Sequence, residues 1–223
     1  MLVKVLRIVW NILIIITYNK LVINMYEKIN LDYNSLEPFI DDKTLDIHYN
    51  NIYQNYMDKL IKVLKKNNYD YKYSMEELAT RIDMFDINDR AEILYNLGGC
   101  LNHKLYFYCI SDKKNNIPKG ILKEKIEEEY GNYEEFKKLF KEKAMELKGS
   151  GFTFLVLDRG KLKIMNFYNQ DTPWYCRFIP IMNIDMWEHS YYLKYNNNRS
   201  EYIDKWFEFV DFDKIEQLYN NYI

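Results

Sequence analysis

The chain has 223 residues, a length that suits one compact unit or two small, tightly joined domains with a real buried core. Its 31 basic and 33 acidic residues nearly balance. A nucleic-acid-binding protein usually carries a basic surplus, so the composition disfavours nucleic acid as a partner, and any attraction for a small anion would have to be local. The three cysteines, Cys100, Cys109 and Cys176, lack the spacing of a disulfide framework or a metal-binding pair. They favour a reducing compartment, with Cys100 and Cys109 as buried, inert thiols.

Residues 1–24 differ from the rest of the chain. A short cationic start leads into the apolar stretch Ile8–Ile16, which contains Asn11 and is too short for a membrane span of roughly 20 residues. The pattern is similar to the first two regions of a signal peptide, but no small-residue cleavage site follows. A translation start at Met25, an export signal and, less favoured, a membrane anchor are alternative interpretations. The first predicts a cytoplasmic protein, and the others predict an exported or membrane-associated one.

The next part of the chain has helical patterns. Apolar residues at helical intervals predict a helix over about residues 42–66. A capping box formed by Ser74 and Glu77 predicts a short helix, and a long apolar face predicts another over about residues 89–109. The polar segment 115–118, which ends in proline, then breaks the pattern.

Beyond this break, helices alternate with strand patterns. One helix is expected to end near Gly131 and the next to begin at Asn132. Residues 152–157 and 162–167 predict two paired strands, and a third is expected just before Asp185. Helical spacing then returns from about Ser200 to Tyr219.

This order of elements predicts an α+β fold. We expect an N-terminal helical hairpin domain over residues 25–113. A mixed domain should follow over residues 114–223, with a small antiparallel sheet of about three strands and flanking helices.

The chain has only three histidines, and two of them lie on predicted helices. A single histidine on an apolar helix is more often a core residue than a metal ligand, so the surroundings decide. His48 shares a stripe with Ile52 and Tyr56, which follow it at four-residue steps. Gly99 lies one turn before His103 on the same face and leaves space beside its imidazole.

The third histidine, His189, forms an Asp-x-x-x-His pattern with Asp185, directly after a predicted strand and beside Trp187. Three imidazoles and one carboxylate suit Mn, Fe, Co or Zn. A zinc ion would favour a tetrahedral site with a position open for hydrolysis, and the residue types alone leave this alternative open. A redox-active ion with these ligands could change its oxidation state while its bound water gains or loses a proton.

Several blocks between residues 30 and 212 resemble the iron/manganese superoxide dismutase family, in the family's order. These blocks are Leu31–Pro38, Thr44–His48, Gly98–His103, Gly149–Phe152, Asn169–Pro173, Asp185–Tyr192 and Tyr195–Trp206. The resemblance implies one Mn or Fe ion that cycles between two oxidation states and converts superoxide to dioxygen and hydrogen peroxide. It implies the ligands His48, His103, Asp185 and His189.

The same resemblance implies roles for residues around the metal. Gln170 would contact the bound solvent, Tyr56 would relay protons at the mouth of the substrate channel, and Trp187 would wall the cavity. Iron-type members usually supply the glutamine from the second-ligand helix, and manganese-type members supply it from the loop. The helix position here is Gly99, whose empty space fits a side chain from the other domain, so we expect Mn rather than Fe.

A homodimer is also implied, in which Glu188 would hydrogen-bond to His189 of the partner subunit. The family usually has a second histidine one turn after the first ligand, where this chain has Ile52. That histidine normally contacts the partner's Tyr192, so Ile52 removes a hydrogen bond at the channel and the interface.

Two further positions depart from the family pattern, because Phe107 and Phe152 stand where the family has tryptophan. Both keep an apolar wall but lack an indole N–H donor. With Ile52, they predict a slower or more product-inhibited enzyme. The alternatives are a structural or surface metalloprotein of the same fold with weak or no dismutase activity, a zinc hydrolase, and a metal-free helical interaction module. The zinc hydrolase lacks an evident general base, and the metal-free module leaves the three histidine blocks unexplained.

Overall fold

The computed structural model describes residues 26–113 and 115–223 of the chain, so the interpretations of residues 1–24 lie outside the described residues. The first part is helical. Its elements are α1 (Asp42–Asp46), a π-helical segment (Ile47–Tyr53), α2 (Gln54–Lys66), α3 (Met75–Leu78) and α4 (Ile87–Cys109). The first three are continuous in the chain, which confirms the helix predicted over residues 42–66.

Local side chains fix where these helices begin. The Asp41 carboxylate accepts a hydrogen bond of 2.9 Å from the backbone of Thr44 at the start of α1. The predicted capping box is present, since Ser74 and Glu77 each accept a hydrogen bond from the other's backbone N–H. At the start of α4 the Asp86 carboxylate accepts a hydrogen bond of 2.9 Å from the backbone N–H of Asn88.

Helices α2 and α4 run antiparallel. Lys66, at the end of α2, forms an ion pair of 2.6 Å with Asp89 near the start of α4. At the opposite end, the ring of Tyr53 stacks on that of His103, with 5.6 Å between centroids. This pairing brings the π-helical segment against the second half of α4.

The rest of the chain forms three strands with helices around them. The helices are α5 (Gly120–Tyr130), α6 (Tyr133–Glu146), α7 (Glu188–Tyr195), α8 (Arg199–Phe209) and α9 (Phe212–Asn220). The strands are β1 (Gly151–Asp158), β2 (Lys161–Tyr168) and β3 (Ile179–Asp185), in the order β2-β1-β3 with antiparallel pairs. Among the described residues this is the predicted α+β architecture.

The helical spacing predicted from about Ser200 to Tyr219 corresponds to two helices rather than one. Val210 leaves the helix in an extended conformation and forms an isolated bridge with Ile110. The side chain of Asp211 then accepts hydrogen bonds from the backbone of Asp213 and Lys214 and starts α9.

The central strand β1 is buried along nearly its whole length, and so is the edge strand β3, whereas the other edge strand β2 is largely exposed or half-buried. Its register pairs Phe152 with Asp185, so Asp185 lies at the end of β3. Helix α4 contacts β3, where the Asn183 side chain donates a 3.0 Å hydrogen bond to the carbonyl of Asn102. The division between residues 113 and 114 into two domains stays a prediction.

The thiols agree with the sequence analysis, since Cys100 and Cys109 are buried and Cys176 is exposed. Within residues 26–113 and 115–223, none of the helices has the length and apolar character that crossing a membrane requires.

Candidate metal centre

Four elements bring the four predicted ligands together. The π-helical segment supplies His48, α4 supplies His103, the end of β3 supplies Asp185, and the first turn of α7 supplies His189. One ligand-type atom from each residue lies within 4.8 Å of the others. The Asp185 Oδ2 atom is 3.1 Å from Nε2 of His48, 3.7 Å from Nε2 of His103 and 3.2 Å from Nε2 of His189.

Hydrogen bonds orient two of these side chains. The Nδ1–H of His103 donates to the carbonyl oxygen of Gly99 at 2.7 Å, which leaves the Nε2 lone pair facing the cluster. The Oδ1 atom of Asp185 accepts a 2.8 Å hydrogen bond from the backbone N–H of Trp187. Its Oδ2 atom therefore faces the three imidazoles.

The centre is buried and partly unsatisfied. His48, His103 and Asp185 are fully buried, and the side chain of His189 is 19% exposed. Among the described residues, Nε2 of His48 and Nε2 of His103 have no hydrogen-bond partner. Buried polar atoms without partners are costly. A first-row transition metal would coordinate these nitrogen atoms, and the set of three imidazoles and one carboxylate fits such an ion.

The pKa values favour the protonation states that bind a metal. Burial lowers the pKa of His48 to about 4 and, with the help of His48, that of His103 to about 3. Burial acts to raise the pKa of Asp185, but His189 and His48 more than offset it and hold it well below its usual range. At neutral pH the two buried imidazoles are therefore neutral and the carboxylate is charged, as coordination requires.

Aromatic rings enclose the ligands. Phe107 packs edge-on against His48 with 4.9 Å between centroids, and Phe152 lies 5.7 Å from His103. Trp187 stacks on His189 at 5.7 Å and donates its indole N–H to the carbonyl of Asn169 at 3.1 Å. The predicted wall residue thus lies at the cluster, and Phe107 and Phe152 provide the apolar contacts expected of them.

Gln170 and Tyr56 also meet beside the cluster. Gln170 is almost fully buried and donates its Nε2–H to the Tyr56 hydroxyl at 3.0 Å. Its Oε1 atom accepts a long 3.4 Å hydrogen bond from Asn102. Burial, and secondly the side chain of Tyr95, raise the pKa of Tyr56, so its hydroxyl is protonated at neutral pH.

The prediction that a side chain from the other domain fills the space beside Gly99 is wrong. The ring of Tyr56, from the neighbouring helix, occupies that space, since a Cβ atom at Gly99 would lie 2.4 Å from its Cδ1 atom. Gln170 instead approaches the previous glycine, because a Cβ at Gly98 would lie 1.9 Å from the Gln170 carbonyl oxygen. Both glycines are needed for close approach, each for a different neighbour.

The predicted stripe of His48, Ile52 and Tyr56 is wrong at Ile52, because this part of the helix is π-helical. A π-helix repeats at wider intervals than an α-helix, so Tyr53, rather than Ile52, follows His48 on the buried face. Tyr53 is fully buried and stacks on His103, whereas Ile52 is half-buried. Four-residue steps from His48 pass over Tyr53, so α-helical spacing carries no signal for it.

Two other neighbours of the site were also missed. Asn102, which donates to Gln170, directly precedes His103 within a family-like block, and that adjacency could have indicated it. Tyr202 donates its hydroxyl to the backbone carbonyl of Asp185 at 2.9 Å. Tyr202 lies in another family-like block, but its contact joins the start of α8 to the end of β3 and was visible only in the fold.

The residues expected at a dimer contact lie close to His189 in the chain. Glu188 is exposed in the first turn of α7, and the side chain of Tyr192 is 51% exposed one turn later. Their contact with a partner subunit stays a prediction.

A buried cluster of three histidines and one aspartate, held between helices and a three-stranded sheet, defines a candidate metalloprotein of the α+β class. Residues 25–111 match the alpha-hairpin domain of the iron/manganese superoxide dismutases, and residues 118–218 match their C-terminal domain. The chain belongs to the iron/manganese superoxide dismutase family. The resemblance that the sequence analysis described is confirmed, and it supports superoxide as the substrate and Mn or Fe as the metal.

Proposed function

We propose that this protein is a superoxide dismutase that holds one metal ion with His48, His103, Asp185 and His189. The reaction converts two superoxide anions and two protons to dioxygen and hydrogen peroxide. The observation that carries the proposal is the convergence of four ligand-type atoms within 4.8 Å, two of them buried imidazole nitrogens without partners. Membership of the family supplies the substrate class.

A bound Mn or Fe ion would supply the one-electron chemistry, taking an electron from one superoxide and giving it to another. The side chains around the centre would guide the superoxide anion to it and supply the protons. His189 is the one proposed ligand with appreciable exposure, so the anion would approach from its side of the cluster. Trp187 would wall the entry beside His189. Phe107 and Phe152 would keep bulk water away from the two fully buried imidazoles.

Protons would reach the site through polar groups beside it. The hydroxyl of Tyr56 accepts from Gln170 at 3.0 Å, so its own proton is free to be donated. Gln170 would orient this hydroxyl and present its amide to solvent bound at the centre. Asn102 would hold the amide of Gln170 from the other side.

We propose Mn as the preferred ion. The glutamine beside the site comes from the loop that follows β2, which is the arrangement that the sequence resemblance associates with manganese. The ligand set itself does not separate the two ions, because both accept imidazole and carboxylate donors. We also propose a two-fold dimer through Glu188 and His189.

The test uses the full chain, stripped of metal and reloaded separately with Mn and Fe. Superoxide dismutation is measured per bound ion, with Asp185→Asn as the ligand variant and Asp158→Asn, on β1, as the matched control. We expect rapid turnover with Mn, a slower rate with Fe, and loss of metal only in Asp185→Asn. Full occupancy with negligible turnover for both ions would reject the enzyme and favour a structural metalloprotein.

A further inference from the structure

One face of α4 has a notch at Gly99, between an exposed residue and the proposed centre. Tyr95, Gly99 and His103 follow each other at four-residue steps and therefore lie along one stripe of the helix. Gly99 has no side chain, and the ring of Tyr56 fills the gap so closely that a Cβ atom there would lie 2.4 Å from the ring. Tyr56 is thus held between two neighbours of the same stripe.

The two neighbours of Tyr56 face opposite environments. On the inner side, its ring centroid lies 5.3 Å from that of the fully buried His103. On the outer side, it lies 5.9 Å from that of Tyr95, whose side chain is 45% exposed. Tyr95 is therefore the last aromatic group between Tyr56 and solvent along this face.

The hydrogen bonds of Tyr56 also indicate a role for Tyr95. Gln170 donates to the Tyr56 oxygen at 3.0 Å, so that oxygen already acts as an acceptor on the inner side. A phenol has a single O–H, which is then left to donate elsewhere. The hydroxyl-bearing side chain next to Tyr56 on the outer side is that of Tyr95.

We propose that Tyr95 is a positioning residue for Tyr56. Its ring closes the outer side of the notch and keeps the Tyr56 ring over Gly99, and its hydroxyl accepts the Tyr56 O–H and connects it to solvent. The inference rests on the proposed dismutase function, for which it supplies the outer end of the proton route.

The role of the ring is tested without turnover. The full-length protein is treated with tetranitromethane, and nitrated tyrosines are mapped by mass spectrometry. In Tyr95→Leu, Tyr56 should be nitrated several-fold faster than in the wild type, because its outer face is uncovered. The matched control is Tyr222→Leu, which removes another tyrosine that is 45% exposed and lines a different cavity. Equal nitration of Tyr56 in the wild type and in Tyr95→Leu would overturn this role.

The role of the hydroxyl is tested in the metal-loaded protein. Tyr95→Phe keeps the ring, so kcat/KM should be unchanged while kcat falls several-fold, since proton supply limits turnover only at high superoxide. Tyr95→His, which restores a hydrogen-bonding group, should recover kcat, and Tyr222→Phe should have no effect. An unchanged kcat in Tyr95→Phe would overturn the hydroxyl role. An inactive wild type would instead reject the dismutase proposal, and the nitration experiment would still decide the role of the ring.

Discussion

Acidifying the metal-free protein should destabilise it through its two fully buried imidazoles. Burial lowers the pKa of His48 from 6.5 to about 4 and that of His103 from 6.5 to about 3. In the unfolded chain both imidazoles return to their ordinary value, so below pH 6.5 the unfolded state binds protons that the folded state does not. The stability of the folded state is therefore fully present above pH 6.5 and is lost as the pH falls toward the folded pKa values.

The size of the effect follows from these shifts. Each buried imidazole costs about 1.4 kcal/mol per pH unit below 6.5, so the two together cost about 4 kcal/mol by pH 5. A typical domain is stable by about 5–15 kcal/mol, so this loss is a large fraction of the total. Asp185 adds nothing in this range, because its lowered pKa stabilises the folded state at every pH above its ordinary value of 3.8.

Urea unfolding of the metal-free protein between pH 8 and pH 5 measures this slope. In His48→Gln one buried imidazole remains, so the slope below pH 6.5 should fall by half, whatever the variant's stability at pH 8. A flat profile in the wild type, or the same slope in His48→Gln, would refute the argument that the imidazoles stay neutral because they are buried.

Three further substitutions test packing, the dimer and a helix cap. In Gly99→Ala the added methyl group meets the ring of Tyr56, and the cost of about 1–3 kcal/mol for overpacking should exceed the gain in helix propensity, as a lower urea midpoint would show. In Ile52→His a hydrogen-bonding group stands at the position that the family resemblance associates with the channel and the interface, so dismutation should be faster or the dimer tighter by analytical ultracentrifugation; no change in either would contradict this. The carboxylate of Glu216 accepts the backbone N–H groups of Ile121 and Leu122 at 2.9 and 3.0 Å, so Glu216→Gln should lower stability by about 1 kcal/mol in thermal unfolding.

The sequence predicted the order of elements well because most of its signals are local. The capping box of Ser74 and Glu77, the glycine after α5 and the turn between the first two strands each act within a few residues of the chain. The break at Val210 was missed for the opposite reason. It depends on a bridge to Ile110, which is distant in the sequence and has no local pattern.

In the candidate site, too, local signals predicted the ligand residues, whereas contacts between distant residues were not predicted. Its four ligand residues were identified from the motif blocks, and the structure brings their atoms together. The contacts around them required the fold. The neighbour of Gly99 proved to be Tyr56 because α2 and α4 pack closely. Tyr53 stacks on His103 because the π-helical segment turns it onto the same face as His48.

The wide turn at residues 47–53 lets the chain carry one extra residue ahead of α2 while His48 stays on the buried face. A π-helix places residue i+5 where an α-helix places residue i+4. Deleting one exposed residue from the turn, such as Asn51, would therefore let it close as an ordinary α-helix with His48 and Tyr53 still on one face, and metal binding should survive. Deleting an exposed residue from the regular helix α2, such as Lys59, would instead rotate everything before it, His48 included, by about 100° around the helix axis. The place of a deletion along this helix, more than its length, should decide whether the metal is held.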